Sequence, residues 1–355
     1  MTHSAPPAAL WFTRCPVPTA TGIAADLGWL AEEFARDGIA VASLQDASAA
    51  TARDHHYTHA LEGLFREGGN VPALWTRSRG EPTRLIGLTW IEERQVVLVA
   101  ADSAVQEAGD LKGRRLAVPR HPLPIDFWRA MALRGFEGAL STAGLTLDDS
   151  VLVDVPAGAR ADQWSAELDA LRAGTVDAVY AKGATAVEAA ARYGARIAVE
   201  LDDHPDRRTR VNNGTPRPIT VRASLLEDRP ELVTRFLAVL VRAADWAARH
   251  PDDLARVLGR ETGAGATGVA GAYRARGHRD LRIDLSDERL DLLARQEHAL
   301  RTHGFLAAPV DVREWADHEP LRQAAGPSRT EPTDTTDTTE PTDISDTTDP
   351  AEDRQ

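Results

Sequence analysis

The chain is 355 residues long, 43% of them hydrophobic, and its formal net charge is −13. A chain of this length and composition accommodates roughly two domains with sizeable cores. Its acidic balance argues against binding to nucleic acid, and the sequence contains no run of 18 apolar residues that would predict a membrane-spanning helix. Cys15 is the only cysteine, which excludes an internal disulfide and a thiolate metal cage.

The two ends of the chain indicate its compartment and its folded extent. The first residues lack the basic segment and apolar run of a secretory signal, and together with the single cysteine this predicts a reducing cytoplasm. From Pro327 to Gln355 the chain carries nine acidic and two basic residues, a net charge of −7, and few apolar ones. We expect residues 326–355 to be a disordered, solubilising acidic tail.

The first hundred residues alternate between short apolar segments, typical of buried strands, and segments with helical apolar spacing. The predicted strands span residues 10–13, 39–44, 84–89 and 95–100. One predicted helix spans residues 23–34 and ends at Gly38, and a longer helical region spans residues 48–66 and ends at Gly68 and Gly69. The β-α-β order at the start favours a parallel sheet.

The chain turns polar at residues 102–110 and then repeats the same alternation. Predicted helices span residues 127–143, 161–173, 230–249 and 287–303, and predicted strands span residues 151–155, 176–180, 196–201 and 219–222. A chain that leaves one lobe and later returns to it builds one lobe from residues 1–105 with 206–325, and a second from residues 106–205. We predict an α/β fold of two lobes, with mixed, mostly parallel sheets, helices on both faces and a ligand-binding cleft between the lobes.

The only thiol lies on the connection between the first strand and the first helix. Pro16 and Pro18 fix their own φ angles and push Cys15 and Val17 into extended backbone. Reactive groups are often carried on such stiff connections of a rigid scaffold. Position alone leaves open a buried, inert thiol, which is common for free cysteine.

Several short runs resemble known proteins. Residues 113–118 (GRRLAV), 174–178 (GTVDA) and 229–233 (RPELV) resemble the sulfonate/nitrate class of bilobal substrate-binding proteins. Within that class, residues 15–18 (CPVP) and 66–72 (REGGNVP) resemble the hydroxybiphenyl-sulfinate desulfinase family of the dibenzothiophene-desulfurising pathway, and the similarity extends over residues 10–323. The resemblance implies a type II periplasmic-binding-protein-like fold and a cofactor-free enzyme that hydrolyses the C–S bond of an aromatic sulfinate.

The resemblance also implies a site formed by Cys15, His56 and Arg66, because in the family a histidine lies ten residues before the arginine, as here. A guanidinium offers two parallel donors that match the two oxygens of a sulfinate. Gly68 and Gly69 permit close approach of main-chain N–H groups to the anion. We expect His56 to orient Cys15, which either attacks sulfur or protonates the ring carbon. The residues alone leave an alternative for Arg66, a cation at a helix C-terminus.

Two further residues are predicted to contact the substrate. An aromatic–arginine pair occurs in the family where this chain has Trp128 and Arg129, so Trp128 is expected to form a wall of an apolar pocket. The family has small neutral residues before its cysteine, whereas this chain has Thr13 and Arg14. We expect Arg14 to lie beside the thiol or at the far end of the substrate.

A metal site is the alternative interpretation of the histidines in this segment. His55, His56 and His59 have the spacing of one helix face, and Asp54 or Glu62 would complete the ligand set. No second cluster in the sequence supplies the remaining ligands convincingly, and such a run is more often a solvated helix face. We therefore predict neither a metal nor a cofactor.

These observations predict a cytoplasmic, monomeric desulfinase that releases sulfite from a small-molecule aryl sulfinate and has no nucleic-acid or membrane partner. The alternative from another class is the substrate-binding protein of a sulfonate/nitrate/taurine-type ABC transporter. That class needs an export signal or a lipobox, and here Arg14 precedes Cys15 where a lipobox needs a small residue. An enzyme of pyrimidine-precursor synthesis on the same fold would need a cysteine-rich iron site, which a single cysteine does not supply.

Overall fold

The protein is described by a computed structural model that covers residues 9–15, 17–47, 55–157, 163–273 and 281–326. The predicted acidic tail from residue 327 onward lies outside the described residues, and so do Pro16 and Asp54. Within the described ranges, no helix combines the length and apolar character needed to cross a membrane.

Ten strands form three sheets in the described part of the chain. The largest sheet has the order β2-β1-β3-β10-β4, formed by β1 (Ala9–Phe12), β2 (Ala40–Ser43), β3 (Leu64–Glu67), β4 (Thr83–Thr89) and β10 (Arg217–Arg222). The second has the order β8-β5-β9, formed by β5 (Gln95–Val99), β8 (Val179–Lys182) and β9 (Arg196–Glu200). The third pairs β6 (Arg115–Arg120) with β7 (Val151–Pro156).

The largest sheet is mixed, as predicted, but the prediction of mostly parallel pairing was wrong, because three strand pairs in the described part of the chain are parallel and four are antiparallel. Strand β1 pairs in parallel with β2 and β3, and β6 pairs in parallel with β7, so the β-α-β units have the parallel pairing that the alternation of elements favours. Strand β10 is antiparallel to β3 and β4, and β5 is antiparallel to β8 and β9. The antiparallel pairs therefore all involve β10 or β5, and each of these two strands lies between its two antiparallel partners.

Thirteen helices are assigned within the described ranges. They are α1 (Ala20–Asp26), α2 (Trp29–Ala35), α3 (Asn70–Ser78), α4 (Phe127–Ser141), α5 (Ser165–Arg172), α6 (Gly183–Tyr193), α7 (Ala223–Asp228), α8 (Pro230–Arg249), α9 (Pro251–Thr262), α10 (Ala266–Tyr273), α11 (Asp287–Thr302), α12 (Val312–Trp315) and α13 (Glu319–Ala325). Residues 55–58 form a further helical turn.

Two of the predicted helices differ from the structure. The helix predicted over residues 23–34 is broken at Gly28, whose φ of 76° is a left-handed conformation that favours glycine. The prediction of helix up to Arg66 was wrong, because residues Leu64–Glu67 form β3 in the middle of the largest sheet. All four β3 residues are buried, so the strand lacks the alternating pattern of a half-buried strand. Gly68 and Gly69 therefore end a strand, and Arg66 is not a helix C-terminal cation.

The apolar cores follow the two-lobe arrangement. One cluster is drawn from residues between Val96 and Leu201, and two others are drawn mainly from the segments before and after it. The first of these clusters already includes β5, which the predicted boundary near residue 105 assigns to the other lobe. Pairing with β8 and β9 buries β5 in this cluster, and the exact lobe boundaries stay a prediction.

Candidate active site

A cavity of about 180 Å³ is lined by residues of the apolar cluster between Val96 and Leu201 and by residues of a second cluster. Cys15, His56, Arg66, Gly69 and Trp128, all singled out from the sequence, line it. The predicted residues Arg14 and Gly68 are not among its lining residues. We call Cys15, His56, Arg66 and Gly69 the thiol site.

The position of Cys15 follows from the parallel pairing of β1 with β3. Beyond the last paired residues, the Thr13 N–H donates to the Phe65 carbonyl at 3.2 Å and the Thr13 hydroxyl donates to the Glu67 carbonyl at 3.1 Å. The Cys15 thiol donates to the same Glu67 carbonyl at 3.6 Å and is partly exposed. The carboxyl ends of adjacent parallel strands therefore bring the thiol next to the strand that carries Arg66.

A buried carboxylate fixes this arrangement. Glu67 is fully buried, and one of its oxygens accepts from the Thr21 N–H at 2.8 Å and the Thr21 hydroxyl at 2.7 Å. Its other oxygen accepts from the Thr89 hydroxyl at 2.9 Å. Charge-assisted bonds to a buried carboxylate are strong, so Glu67 ties the first turn of α1 and the end of β4 to the strand that supports the thiol.

Arg66 is a buried cation with unused donors. Its side chain is 1% exposed, and Nη1 donates to the Gly69 carbonyl at 3.1 Å. Nε and Nη2 are buried without a hydrogen-bond partner in the described part of the chain. Burial, which disfavours the charged form, lowers the pKa of Arg66 to about 10, with Cys15 acting in the opposite direction. A buried guanidinium with two free donors on a cavity wall is suited to binding an anion with two oxygens.

Gly68 makes room for this guanidinium. A Cβ atom at Gly68 would lie 2.6 Å from Cζ of Arg66, so a larger residue would displace the cation. The Gly68 N–H donates to the Pro218 carbonyl at 3.2 Å. Gly68 therefore acts through packing against Arg66, and its N–H already has an acceptor.

Gly69 lies directly before α3, and most donors of this helix end are occupied. The Asn70 N–H donates to the Asn213 carbonyl at 2.7 Å, and the Val71 N–H donates to the Asn213 side-chain oxygen at 3.0 Å. A Cβ atom at Gly69 would collide with the same side chain. Among the residues that the structure describes, the Gly69 N–H has no main-chain acceptor, and Gly69 lines the cavity.

His56 lines the cavity in its neutral form. Burial, reinforced by the positive charge of Arg66, lowers the pKa of His56 to about 4. At neutral pH the imidazole is therefore uncharged and has one donor and one acceptor nitrogen.

The three histidines do not form the metal site that their spacing left open. The ligand atoms of His55, His56 and His59 do not all come within 4.8 Å of one another, and Asp54 lies outside the described residues. His59 is 3% exposed, and burial holds its pKa well below the usual value. His55 and His56 are half-buried and Thr58 is exposed, so within this segment burial is nearly complete only at His59.

Aromatic rings form the apolar wall of the cavity. Trp128, in the first turn of α4, packs edge-on against Trp164 with ring centroids 5.4 Å apart and an interplanar angle of 90°. Phe127 packs beside Trp128 at 5.2 Å, and all three side chains line the cavity. Flat apolar walls of this kind suit an aryl ligand.

Arg14 points to a different partner from the one expected. Its guanidinium forms an ion pair with Glu261 on α9, with Nε 3.4 Å from Oε2, and this hydrogen bonding raises the pKa of Arg14. The Arg14 N–H donates to the side-chain oxygen of Gln45 at 2.8 Å, and the side-chain nitrogen of Gln45 donates to the Arg14 carbonyl at 2.5 Å. Because its guanidinium is paired with Glu261, Arg14 anchors the turn before Cys15, and its side chain does not line the cavity.

Sequence reasoning missed a second group of polar residues on the same cavity: Glu93, Lys182, Arg217 and Tyr273. We call these four the Arg217 cluster. Each is less than 9% exposed, and Lys182 forms a buried ion pair with Glu93. Lys182 ends the otherwise uncharged strand β8, and this is a sequence signal that marks it, whereas Arg217 begins a strand that also ends in an arginine. Glu93 and Tyr273 carry no comparable signal.

Comparison with known proteins assigns the chain to a family. Residues 19–254 match the family model described as NMT1/THI5 like. A curated 2'-hydroxybiphenyl-2-sulfinate desulfinase from Rhodococcus erythropolis is 31% identical over 358 aligned positions, which cover 89% of this chain and 93% of the relative. The same enzyme from Rhodococcus qingshengii matches at 31% identity with the same coverage.

Solved structures match over the same extent. The desulfurization enzyme DszB superposes with a TM-score of 0.69 at 27% identity, covering 89% of this chain and 98% of that one. A mutant of DszB in complex with biphenyl-2-sulfinic acid gives a TM-score of 0.71 at 26% identity, with the same coverage. The periplasmic aliphatic sulphonate binding protein SsuA from Escherichia coli gives 0.67 at 17% identity, covering 88% and 93%, which confirms the predicted periplasmic-binding-protein-like fold. The chain belongs to the 2'-hydroxybiphenyl-2-sulfinate desulfinase family, within the NMT1/THI5-like proteins.

Proposed function

We propose that this protein is a desulfinase that hydrolyses the C–S bond of an aryl sulfinate and releases sulfite and the arene. Its family membership supports the reaction class. The observation that carries the proposal for this chain is Arg66, whose two unpartnered donors are buried on the same cavity as the only thiol. No cofactor or metal enters the proposed reaction.

Arg66 holds the sulfinate in this proposal. The two sulfinate oxygens accept from Nε and Nη2, the atoms that have no partner in the described residues. A charged, bidentate hydrogen bond of this kind is among the strongest that proteins form. The Gly69 N–H supplies a further donor, and the aryl ring packs against Trp128 and Trp164.

Cys15 carries the chemistry by one of two balanced routes. As an acid, the thiol protonates the ring carbon, the C–S bond breaks, and the departing SO₂ takes up water to give bisulfite and a proton that restores the thiol. As a nucleophile, the thiolate attacks sulfur, the ring carbon leaves and takes a proton, and water then hydrolyses the Cys–S–SO₂⁻ intermediate to bisulfite and thiol. The partly exposed thiol on a fixed turn is compatible with both routes.

His56 acts as a positioning group for Cys15. Because its pKa is about 4, the imidazole is neutral at pH 7 and offers an acceptor nitrogen to a neighbouring thiol. A pKa of about 4 makes His56 a weak base at pH 7 and prevents it from serving as a cationic acid, so we assign it the role of accepting a hydrogen bond from the Cys15 thiol and orienting it.

The alternative function is a binding protein that holds sulfonates or sulfinates without reacting with them. The likeness to SsuA at 17% identity concerns the fold alone, so it does not favour transport. A binding protein would hold a sulfinate and its sulfonate analogue through Arg66 and would release no sulfite. An assay for sulfite release therefore distinguishes the enzyme from the binding protein.

The decisive experiment incubates the purified protein with 2'-hydroxybiphenyl-2-sulfinate, the substrate of its curated relatives, and with biphenyl-2-sulfinate, the ligand of the DszB mutant complex, and measures sulfite. We expect stoichiometric sulfite and arene with the wild type and neither with Cys15→Ser. Added EDTA should leave the rate unchanged. Tight binding of both compounds without any sulfite would contradict the proposed enzyme and favour the binding protein.

A further inference from the structure

Arg217 is a second buried cation on the cavity that carries Arg66. It is the first residue of β10 and is 4% exposed. Its Nε is buried without a hydrogen-bond partner, and no ion pair joins it to a carboxylate among the residues that the structure describes. Glu93, the one carboxylate among the described lining residues, forms its ion pair with Lys182. Arg217 therefore has a buried donor for which the described protein groups supply no acceptor.

The register of the largest sheet places Arg217 beside the thiol site. Strand β10 is antiparallel to β3, and just beyond their last assigned pair the Gly68 N–H donates to the Pro218 carbonyl at 3.2 Å. In the same register the next residues along, Arg217 and Gly69, lie opposite each other, about 5 Å apart as neighbouring strands are. The Gly69 carbonyl accepts from Nη1 of Arg66 at 3.1 Å. Both arginines therefore approach the cavity at Gly69.

The two arginines are also close enough for their charges to act on each other. Burial is the main reason why the pKa of Arg66 falls to about 10, Cys15 acts in the opposite direction, and the positive charge of Arg217 lowers the pKa further. Two buried cations in this relation repel each other, and an anion placed between them compensates both charges.

We propose that Arg217 is a second anion-binding residue, so that the sulfinate is held between the guanidinium of Arg66 on β3 and that of Arg217 on β10. This assignment rests on the proposed desulfinase function and names a further residue of the same site. Three buried donors without partners, Nε and Nη2 of Arg66 and Nε of Arg217, then meet the two sulfinate oxygens. Each of these oxygens has more than one lone pair, so together they accept all three hydrogen bonds.

The second guanidinium acts on the anionic group and not on the aryl ring. Loss of a hydrogen bond to a charged group corresponds to roughly 10- to 100-fold in binding. We therefore expect removal of the Arg217 guanidinium to weaken binding of 2'-hydroxybiphenyl-2-sulfinate by about this factor. Binding of 2-hydroxybiphenyl, the same arene without the sulfinate, should be unchanged.

The test measures both dissociation constants by calorimetry on a Cys15→Ser background, in Arg217→Gln and in Arg217→Lys. Arg217→Lys keeps the buried charge and the aliphatic stem but loses the planar fork, so it provides the test if Arg217→Gln does not fold. We expect the preference for the sulfinate over the arene to fall roughly 10- to 100-fold in Arg217→Gln and by about threefold or more in Arg217→Lys.

Arg210→Gln is the matched control. Arg210 is also a buried arginine, but its guanidinium donates to Glu92 at 2.6 Å and it does not line the cavity. This change should lower Tm, because Glu92 loses its partner, and leave the preference for the sulfinate unchanged. An unchanged preference in both Arg217 variants, or an equal loss for the sulfinate and the arene, would overturn the second anion contact. Sulfite release by the wild type tests the desulfinase function separately, so failure of one proposal is distinguishable from failure of the other.

Discussion

The thiol site and the Arg217 cluster face the same cavity but are built in different ways. In the thiol site, Cys15 and Arg66 follow or lie on two adjacent parallel strands, and Gly69 is three residues beyond Arg66. The Arg217 cluster instead combines residues from four separate parts of the chain, the segment after β4, the end of β8, the start of β10 and the end of α10.

The two groups also differ in how their charges are balanced. Arg66 has no carboxylate partner in the described residues and leaves two donors free, as an anion site requires. The Arg217 cluster contains an internal ion pair, Lys182 with Glu93, that compensates part of its charge. Within the described residues, the thiol site therefore offers a cation without a counter-charge of its own, whereas the Arg217 cluster contains one carboxylate.

The largest expected effect comes from Cys15→Ser, which removes the chemistry of the thiol site and leaves the Arg217 cluster intact. Loss of the thiol as acid or nucleophile should reduce kcat by on the order of 10²- to 10⁴-fold or more. Calorimetry should still detect aryl sulfinate binding with a Kd within about threefold of wild type, because the donors of Arg66 remain. Sulfite release near the wild-type rate would contradict an active-site role for Cys15.

The second prediction concerns the anion contact. Arg66→Lys replaces a planar fork with a point charge, so the sulfinate loses its bidentate partner. The expected loss in kcat/KM corresponds to ~2–5 kcal/mol, or roughly 30- to 5000-fold. Arg14→Lys is the matched control, because Arg14 lies next to Cys15 in sequence but pairs with Glu261 and not with the cavity. If both variants behave alike, Arg66 is not the anion contact.

The third prediction uses the pH dependence of stability. The pKa of His56 is about 4 in the folded protein, below the usual value of 6.5, so the unfolded chain takes up a proton first as the pH falls. Stability from neutral His56 is therefore fully present above pH ~6.5 and is lost as the pH falls toward ~4. Between pH 7 and pH 5 this loss amounts to about 2 kcal/mol.

Urea unfolding at pH 7 and pH 5 measures this effect. His56→Gln should lose less stability than the wild type over that interval, by about 2 kcal/mol. The control His298→Gln changes a histidine that is exposed on α11 and does not line the cavity. Equal pH dependence in all three proteins would show that His56 is not held neutral by its surroundings.

The smallest expected effect on activity comes from Arg14→Gln. This change leaves the nearly buried carboxylate of Glu261 without its partner, so the free energy of unfolding should fall by about 1–2 kcal/mol. Because the Arg14 side chain does not line the cavity, kcat/KM for an aryl sulfinate should stay within about threefold of wild type. A loss of 30-fold or more would place Arg14 in the substrate site after all.

Local sequence determined much of the thiol site. Two prolines shortly after Cys15 restrict the backbone of Cys15 and Val17, and Arg66, Gly68 and Gly69 lie in one short run. Neither feature needs distant residues to be recognised. The alternation of strands and helices likewise predicted a two-lobed α/β fold, because hydrophobic periodicity is a local property. Trp128, one residue of the aromatic wall, was predicted for a similar reason, because it belongs to the short aromatic–arginine pair Trp128–Arg129.

Only the tertiary structure decided the rest, because burial and the choice of partner depend on residues far away in sequence. The pairing of β3 between β1 and β10 made Arg66 a buried strand residue where helical spacing had been expected. Glu261, more than two hundred residues from Arg14, drew that guanidinium away from the cavity. Packing likewise placed Arg217 and Tyr273 on the cavity, since burial depends on residues distant in sequence and not on residue type alone.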